Sequence, residues 1–118
     1  MFFEVNDREP IYIQIIRHIK TAIVTGTLQA GDEVPSRREL AESLRVNPNT
    51  VQRAYREMEG IGLIETIRNF PSKITSNKEI LKAVRSELVD ESINKFLESM
   101  KSLNFSKEEV IDIINEKY

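Results

Sequence analysis

The sequence has no cysteine and no tryptophan, and it contains a single histidine among 118 residues. Without cysteine the chain can form neither a disulfide framework nor a zinc site with thiolate ligands. His18 has no second histidine or cysteine to join it, which disfavours a metal-binding or catalytic role. We therefore expect His18 to lie half-exposed on a helix, and the sequence predicts no metal site and no cofactor.

Long apolar runs are absent too. None approaches the roughly 20 residues of a membrane-spanning helix, and the N-terminal segment Met1–Val5 lacks the basic region and apolar stretch of a signal peptide. These absences lead us to expect a cytoplasmic protein without membrane partners. The sequence also offers no nucleophile–base pair and no glycine-rich phosphate loop, so an enzyme is not predicted.

The net charge of −2 conceals an uneven distribution. Between Ser36 and Arg56 five arginines stand against two glutamates, whereas from Ser76 onwards seven basic residues stand against nine acidic ones. A whole-chain sum can hide a local basic patch. Positive potential is thus expected over one short segment.

The same segment predicts a helix-turn-helix. Ser36 and Glu39 have the spacing of a capping box, and Asn47 followed by Pro48 marks a second helix start a few residues later. An earlier helix is predicted from Pro10 to a stop at Gly26. The apolar residues expected on the buried faces of these three helices are Ile11, Ile15, Ile16, Ile19 and Ile23, then Leu40, Ala41 and Leu44, then Val51, Ala54, Tyr55 and Met58.

A small hairpin and two further helices complete the predicted architecture. The β-branched segments 63–67 and 72–75 flank turn residues 68–71, which predicts a two-stranded wing. Beyond a boundary near 76–77, apolar residues recur at three- and four-residue steps, and a second capping box at Ser106 and Glu109 starts a last helix. The predicted fold is mainly α: a winged helix-turn-helix over residues 1–76, followed by a two-helix tail over 77–118.

The second helix of a helix-turn-helix presents its first turn to base edges in the major groove. Here that turn is Asn47-Pro48-Asn49-Thr50, and Gln52 and Arg53 follow it; amides can pair with adenine, and arginine with guanine or phosphate. The alternative is that Asn47 only caps the helix and that the arginines only solvate its exposed face. For Asn47 the cap is expected in either case.

Arg38 lies in the first turn of the preceding helix, where the macrodipole disfavours a cation. A salt bridge to Glu42, four residues on, would account for it at a gain of only a few tenths of a kcal/mol. We favour a contact with a phosphate or a base.

The combined spacing of several segments resembles the GntR family of bacterial transcriptional regulators over about residues 10–68. The matching segments are 10–15, 26–28, 31–32, 35–41, 47–55 and 62–66. The resemblance implies DNA contacts from Arg38, from the start of the recognition helix and from Arg68 in the wing. The full predicted DNA-binding set is Ser36, Arg37, Arg38, Asn47, Asn49, Thr50, Gln52, Arg53 and Arg68.

The wing departs from the family pattern. The family's wing usually reads Arg-Gly-x-Gly, whereas this chain has Arg68-Asn69-Phe70-Pro71. Asn69 can adopt a left-handed conformation, but Pro71 cannot reproduce the freedom of a glycine. A DNA contact from the wing is therefore expected through Arg68, and Phe70 is expected to pack on its own domain or a neighbour rather than wedge against sugars.

The short tail resembles that of the YtrA subfamily, in which it mediates dimerisation. The residues predicted to dimerise are Val89, Ile93, Phe96, Leu97, Met100 and Leu103. The resulting hypothesis is a homodimeric regulator, a repressor, that binds a pseudo-palindromic operator. Three alternatives stay open: a winged helix used only for protein–protein contact, a tail packed back on its own domain, and a sensor that holds an unidentified small-molecule effector between tail and winged domain.

Overall fold

The computed structural model describes residues 3–118. Met1 and Phe2 lie outside the described residues. Both belong to the predicted first domain and to the N-terminal segment that lacks the features of a signal peptide. Within residues 3–118, five helices and two short strands follow in the order α1 (Ile11–Val24), α2 (Arg37–Leu44), α3 (Pro48–Gly60), β1 (Ile64–Glu65), β2 (Lys73–Ile74), α4 (Lys78–Ser102) and α5 (Lys107–Lys117). The mainly helical winged fold predicted from the sequence is confirmed.

The predicted helix starts are confirmed by their caps. Ser36 Oγ accepts from the backbone N–H of Glu39 at 3.1 Å at the start of α2, and Asn47 Oδ1 accepts from that of Asn49 at 2.8 Å at the start of α3. At α5 both halves of the capping box form, between Ser106 and Glu109. Such bonds satisfy backbone N–H groups that have no partner within the helix.

The core lies where the three N-terminal helices meet the wing. Among the predicted stripes, Ile15 and Ile19 of α1 are buried, as are all the residues named for α2 and α3, while Ile11, Ile16 and Ile23 are partly buried and pack against that core. Leu63, Ile64 and Ile74 seal it from the wing side.

The two strands of the wing are shorter than predicted. A third extended segment, which the sequence did not indicate, pairs with β2. β1 and β2 pair antiparallel with Ile64 opposite Ile74. Glu33 forms an isolated bridge with Lys73 on the other side of β2, and Val34 N–H donates to Ser72 O at 2.9 Å. The segment between α1 and α2 therefore also borders the wing.

The chain divides into two compact units, one ending at Arg85 and the other spanning Ser86–Tyr118. The predicted division at 76–77 falls at the start of α4 and stays a prediction. Within Ser86–Tyr118, α4 and α5 are joined through Asn104, which has a left-handed φ of 62°. No helix among residues 3–118 is long and apolar enough to cross a membrane.

Candidate nucleic-acid interface

The first turn of α3 carries the polar side chains expected to read bases. Pro48 occupies the first helical position, where its missing N–H leaves no hydrogen bond unmade. Asn47 and Asn49 are exposed, and Thr50 and Gln52 are half-buried. The cap role of Asn47 is confirmed, and because one amide oxygen makes that bond, any DNA contact would be additional.

A groove of about 600 Å³ runs between α2 and α3 and is lined by four of the nine predicted DNA-binding residues. Arg38 of α2 lines one side, and Asn49 and Gln52 of α3 line the other. The N-termini of both helices begin close to this groove, and helix N-termini favour anionic groups through their unpaired N–H donors and their dipole. The structure therefore combines hydrogen-bonding amides with a cation in one surface feature.

Arg38 is the most exposed charge in this groove, with 90% of its side chain accessible. Its Nε lies 3.3 Å from Glu42 Oε1, so the ion pair considered in the sequence analysis is formed. A pair this exposed contributes little free energy. The guanidinium can therefore exchange Glu42 for a phosphate or a base at small cost.

Arg53 is held by an aromatic side chain from another helix. Its guanidinium carbon lies 3.8 Å from the centroid of the Tyr12 ring, and its Nη2 donates to Tyr12 Oη at 3.1 Å. Arg53 Nε also lies 3.6 Å from Glu57 Oε1, and 59% of the side chain is exposed. A stacked guanidinium loses less freedom when it binds an anion, so the stack on Tyr12 favours a contact by Arg53.

Arg37 also lines this groove, but its side chain is only 31% exposed and is paired with α3, unlike that of its neighbour Arg38. Its Nη2 donates to Glu59 Oε1 at 2.7 Å, and its guanidinium carbon lies 4.9 Å from the ring centroid of Tyr55. The hydroxyl of Tyr55 donates to Pro35 O at 2.6 Å. Burial raises the pKa of Tyr55 to about 12, so this hydroxyl stays a donor under ordinary conditions.

Arg68 lies at the tip of the wing and does not line the groove. Phe70 N–H donates to Ile67 O at 2.9 Å, and Asn69 between them has a φ of 70°. This is the geometry of a type II turn, and Asn69 adopts the left-handed conformation that an asparagine tolerates. Phe70 is 65% exposed, so it is not buried in its own domain, and packing on a neighbouring domain stays a prediction; Ile67 beside it is 69% exposed.

The predicted dimerisation residues form an exposed apolar set on α4 and the segment after it. Val89, Ile93 and Leu103 are at least 49% exposed, and Phe96 and Leu97 are more than a third exposed. Met100 is half-buried. Three further apolar residues after α4, which the sequence analysis did not assign to the interface, are also exposed: Phe105, Ile111 and Ile114.

Several polar residues that hold the winged unit together escaped the sequence analysis. Gln14 is buried and uses its amide three times: it accepts from Asn6 N and donates to Asn6 O and Glu9 O. Tyr12, which contacts Arg53, could not be distinguished by hydrophobic periodicity from the apolar residues around it. Both lie in the 10–15 segment that carried the family resemblance, and that resemblance was the only available signal.

His18 is half-buried on α1, as expected, with its ring stacked on Phe3 at 4.3 Å between centroids. Burial lowers its pKa below the ordinary value of 6.5. Among residues 3–118 no cluster of three or more histidine, cysteine or acidic side chains is arranged to hold a metal ion.

Comparison with known proteins agrees with this geometry. Residues 11–73 match the model of the bacterial regulatory proteins of the gntR family. The chain is 40% identical to the uncharacterized HTH-type transcriptional regulator YhcF of Bacillus subtilis, over 88% of this chain and 86% of that protein. It is 39% identical to the HTH-type transcriptional repressor YtrA of the same organism, over 80% of this chain and 68% of that one.

A solved structure of a GntR family transcriptional regulator from Listeria monocytogenes superposes with a TM-score of 0.87 at 38% identity, covering 97% of this chain and 100% of that one. The relatives are transcriptional regulators, so the prediction that the chain is not an enzyme is confirmed. The resemblance to YtrA drawn from the short tail is confirmed as well. The chain belongs to the gntR family of bacterial regulatory proteins and is a transcriptional regulator with a DNA-binding winged helix.

Proposed function

We propose that this regulator is a repressor that binds a pseudo-palindromic operator as a homodimer in the cytoplasm. Residues 1–76 form its DNA-binding domain and residues 77–118 its dimerisation tail. One observation carries the proposal: the capped first turn of α3 presents Asn49 and Gln52 across a groove from Arg38. That combination suits base edges next to a phosphate chain.

The wider DNA-binding surface follows from the exposures of the predicted residues. Arg38, Arg53 and Arg68 supply accessible positive charge, and Thr50 and Gln52 extend the polar face of α3. Ser36 and Asn47 act first as caps, so we expect them to orient backbone N–H groups towards phosphates. Repression, rather than activation, is supported by the likeness to the repressor YtrA.

Homodimerisation is supported by the apolar surface of the tail. Val89, Ile93 and Leu103 are each about half exposed or more, and Phe96 and Leu97 lie beside them. Clusters of exposed apolar side chains often mark protein–protein interfaces. A second copy is the natural occupant, because two recognition helices would then match the two halves of an inverted repeat.

The test is selection of duplexes from a random library with the purified full chain at physiological salt. We expect an inverted repeat whose half-sites lie ~34 Å apart, or a multiple of that distance, and an affinity that falls steeply as salt rises. Weak binding with no sequence preference, seen only at low salt, would refute the proposal. It would favour the alternative, a winged helix used for protein–protein contact.

A further inference from the structure

Two adjacent arginines at the start of α2 have opposite surroundings. The side chain of Arg38 is 90% exposed, and its partner Glu42, one turn along the same helix, is 70% exposed. The side chain of Arg37 is 31% exposed, and its partner Glu59, in the last turn of α3, is 34% exposed. The first pair is local to α2, whereas the second joins two helices.

Three features converge on the Arg37 guanidinium. Nη2 makes a 2.7 Å bond to Glu59 Oε1, the short distance expected of a charge-assisted hydrogen bond. The guanidinium carbon lies 4.9 Å from the centroid of the Tyr55 ring, which is fully buried. Nε is buried and has no hydrogen-bond partner among the described residues. The side chain is thus packed between α2 and α3, with one edge already withdrawn from water.

The same side chain completes a chain of contacts at the entry to α2. Tyr55 donates its hydroxyl to Pro35 O, just before the Ser36 cap, and Arg37 lies over the Tyr55 ring. Arg37 also places a cation beside the C-terminal turn of α3, where the helix dipole favours it. The start of α2 and the end of α3 are therefore fastened together at one place.

We propose that Arg37 is a positioning residue that fixes α2 against the recognition helix α3 and does not itself bind DNA. The proposal rests on the DNA-binding function proposed above and departs from the sequence prediction that grouped Arg37 with Arg38. Glu59 already neutralises Arg37 through a 2.7 Å bond, so a phosphate would have to compete with a half-buried carboxylate for the same guanidinium. Arg38 leaves only an exposed pair.

The proposal and simple electrostatics predict opposite changes in DNA affinity when the negative charge of Glu59 is removed. Because DNA is a polyanion, removing a negative charge from a DNA-binding domain should by itself tighten binding. If Arg37 needs Glu59 to hold α2 against α3, then Glu59→Gln should weaken binding instead. The operator affinity of Glu59→Gln therefore distinguishes the positioning role from simple electrostatics.

The experiment measures operator affinity across a salt series for the full chain, using the duplex selected from the random library. The variants are Arg37→Gln, Glu59→Gln, the exchange Arg37→Glu with Glu59→Arg, and the matched control Arg38→Gln, each checked by thermal denaturation. We expect Arg37→Gln and Glu59→Gln each to weaken binding by on the order of tenfold, with the salt slope of the wild type. Arg38→Gln should lower that slope by about one, and the exchange should recover affinity relative to either single change.

Three outcomes would overturn the proposal. A salt slope lowered by about one in Arg37→Gln, with Glu59→Gln binding as tightly as the wild type or more so, would make Arg37 a DNA contact. Lower melting temperatures with unchanged operator affinity would make the pair a matter of stability alone. Failure of the wild-type chain to select any duplex would refute the proposed function itself, and this result is separate because it is read without any variant.

Discussion

Gly62 lies between α3 and the wing, at a position that disfavours any residue with a Cβ. Its φ of +78° lies in the left-handed region, and a Cβ built on it would come within 2.9 Å of Ile80 Cδ1. Gly31 has a nearly equal φ of +83°, but no atom of residues 3–118 lies within 4 Å of a Cβ there. A substitution at Gly31 therefore introduces backbone strain alone, whereas a substitution at Gly62 adds a steric contact to that strain.

We expect Gly31→Ala to lower the free energy of unfolding by about 1–2 kcal/mol through backbone strain alone. Gly62→Ala should cost more, because the Ile80 side chain must also shift. Urea denaturation of both variants measures the difference, and that difference should vanish when Gly62→Ala is made in an Ile80→Val background. Equal losses for the two single variants would show that Ile80 gives way freely.

His18 connects protonation to stability. Since burial lowers its pKa below 6.5, the unfolded chain binds this proton at a higher pH than the folded chain. The contribution to stability is complete above about pH 6.5 and is lost as pH falls through the window between 6.5 and the lowered folded pKa. Urea denaturation above and below this window should show a larger acid-induced loss for the wild type than for His18→Gln. An identical pH dependence in the two proteins would contradict this assignment.

At the scale of elements, the helices were predictable because their signals are local. Ser36, Asn47 and Ser106 cap helices through bonds to residues two or three positions ahead. The bridge between Glu33 and Lys73 joins residues far apart in sequence, and no local pattern marks it. The same reason explains why the partners of Arg37 and Arg53 were missed, since Glu59 and Tyr12 lie on other helices.

The wing provides a prediction that belongs to this scale. Arg68→Ala should weaken operator binding and lower the salt slope by about one, because Arg68 is an exposed cation at the tip. Phe70→Ala should leave the slope unchanged and alter stability by less than about 1 kcal/mol, since two thirds of the side chain is already exposed. Both are measured on one duplex over the same salt range. Wild-type binding by Arg68→Ala would mean that the wing is only structural here.

At the scale of the whole molecule, the basic segment and the acidic tail are separate in the sequence, and they form different helices in the structure. The basic segment forms α2 and α3, while the tail carries exposed Val89, Ile93 and Leu97 among its charges. Which apolar residues of the tail face a partner could not be read from periodicity, because α4 has apolar residues on several faces.

We expect Leu97→Glu to produce monomers, because it places a charge in an apolar contact that excludes water. Ser99→Glu is the matched control: it adds the same charge at an exposed position of α4, two residues away. Sedimentation should show a monomer for Leu97→Glu and a dimer for Ser99→Glu, with the winged unit folded in both. A wild-type chain that sediments as a monomer at micromolar concentration would refute the assigned interface.

The central claim is that the first turn of α3 reads DNA bases, and Asn49 tests it most directly. The measurement compares the base preferences that wild type, Asn49→Ala and Arg38→Ala each select from one random library. We predict that Asn49→Ala loses preference at one position of each half-site, at a cost of about 1–3 kcal/mol. Arg38→Ala should weaken all sequences together and keep the profile. An Asn49→Ala profile identical to that of the wild type would contradict the claim.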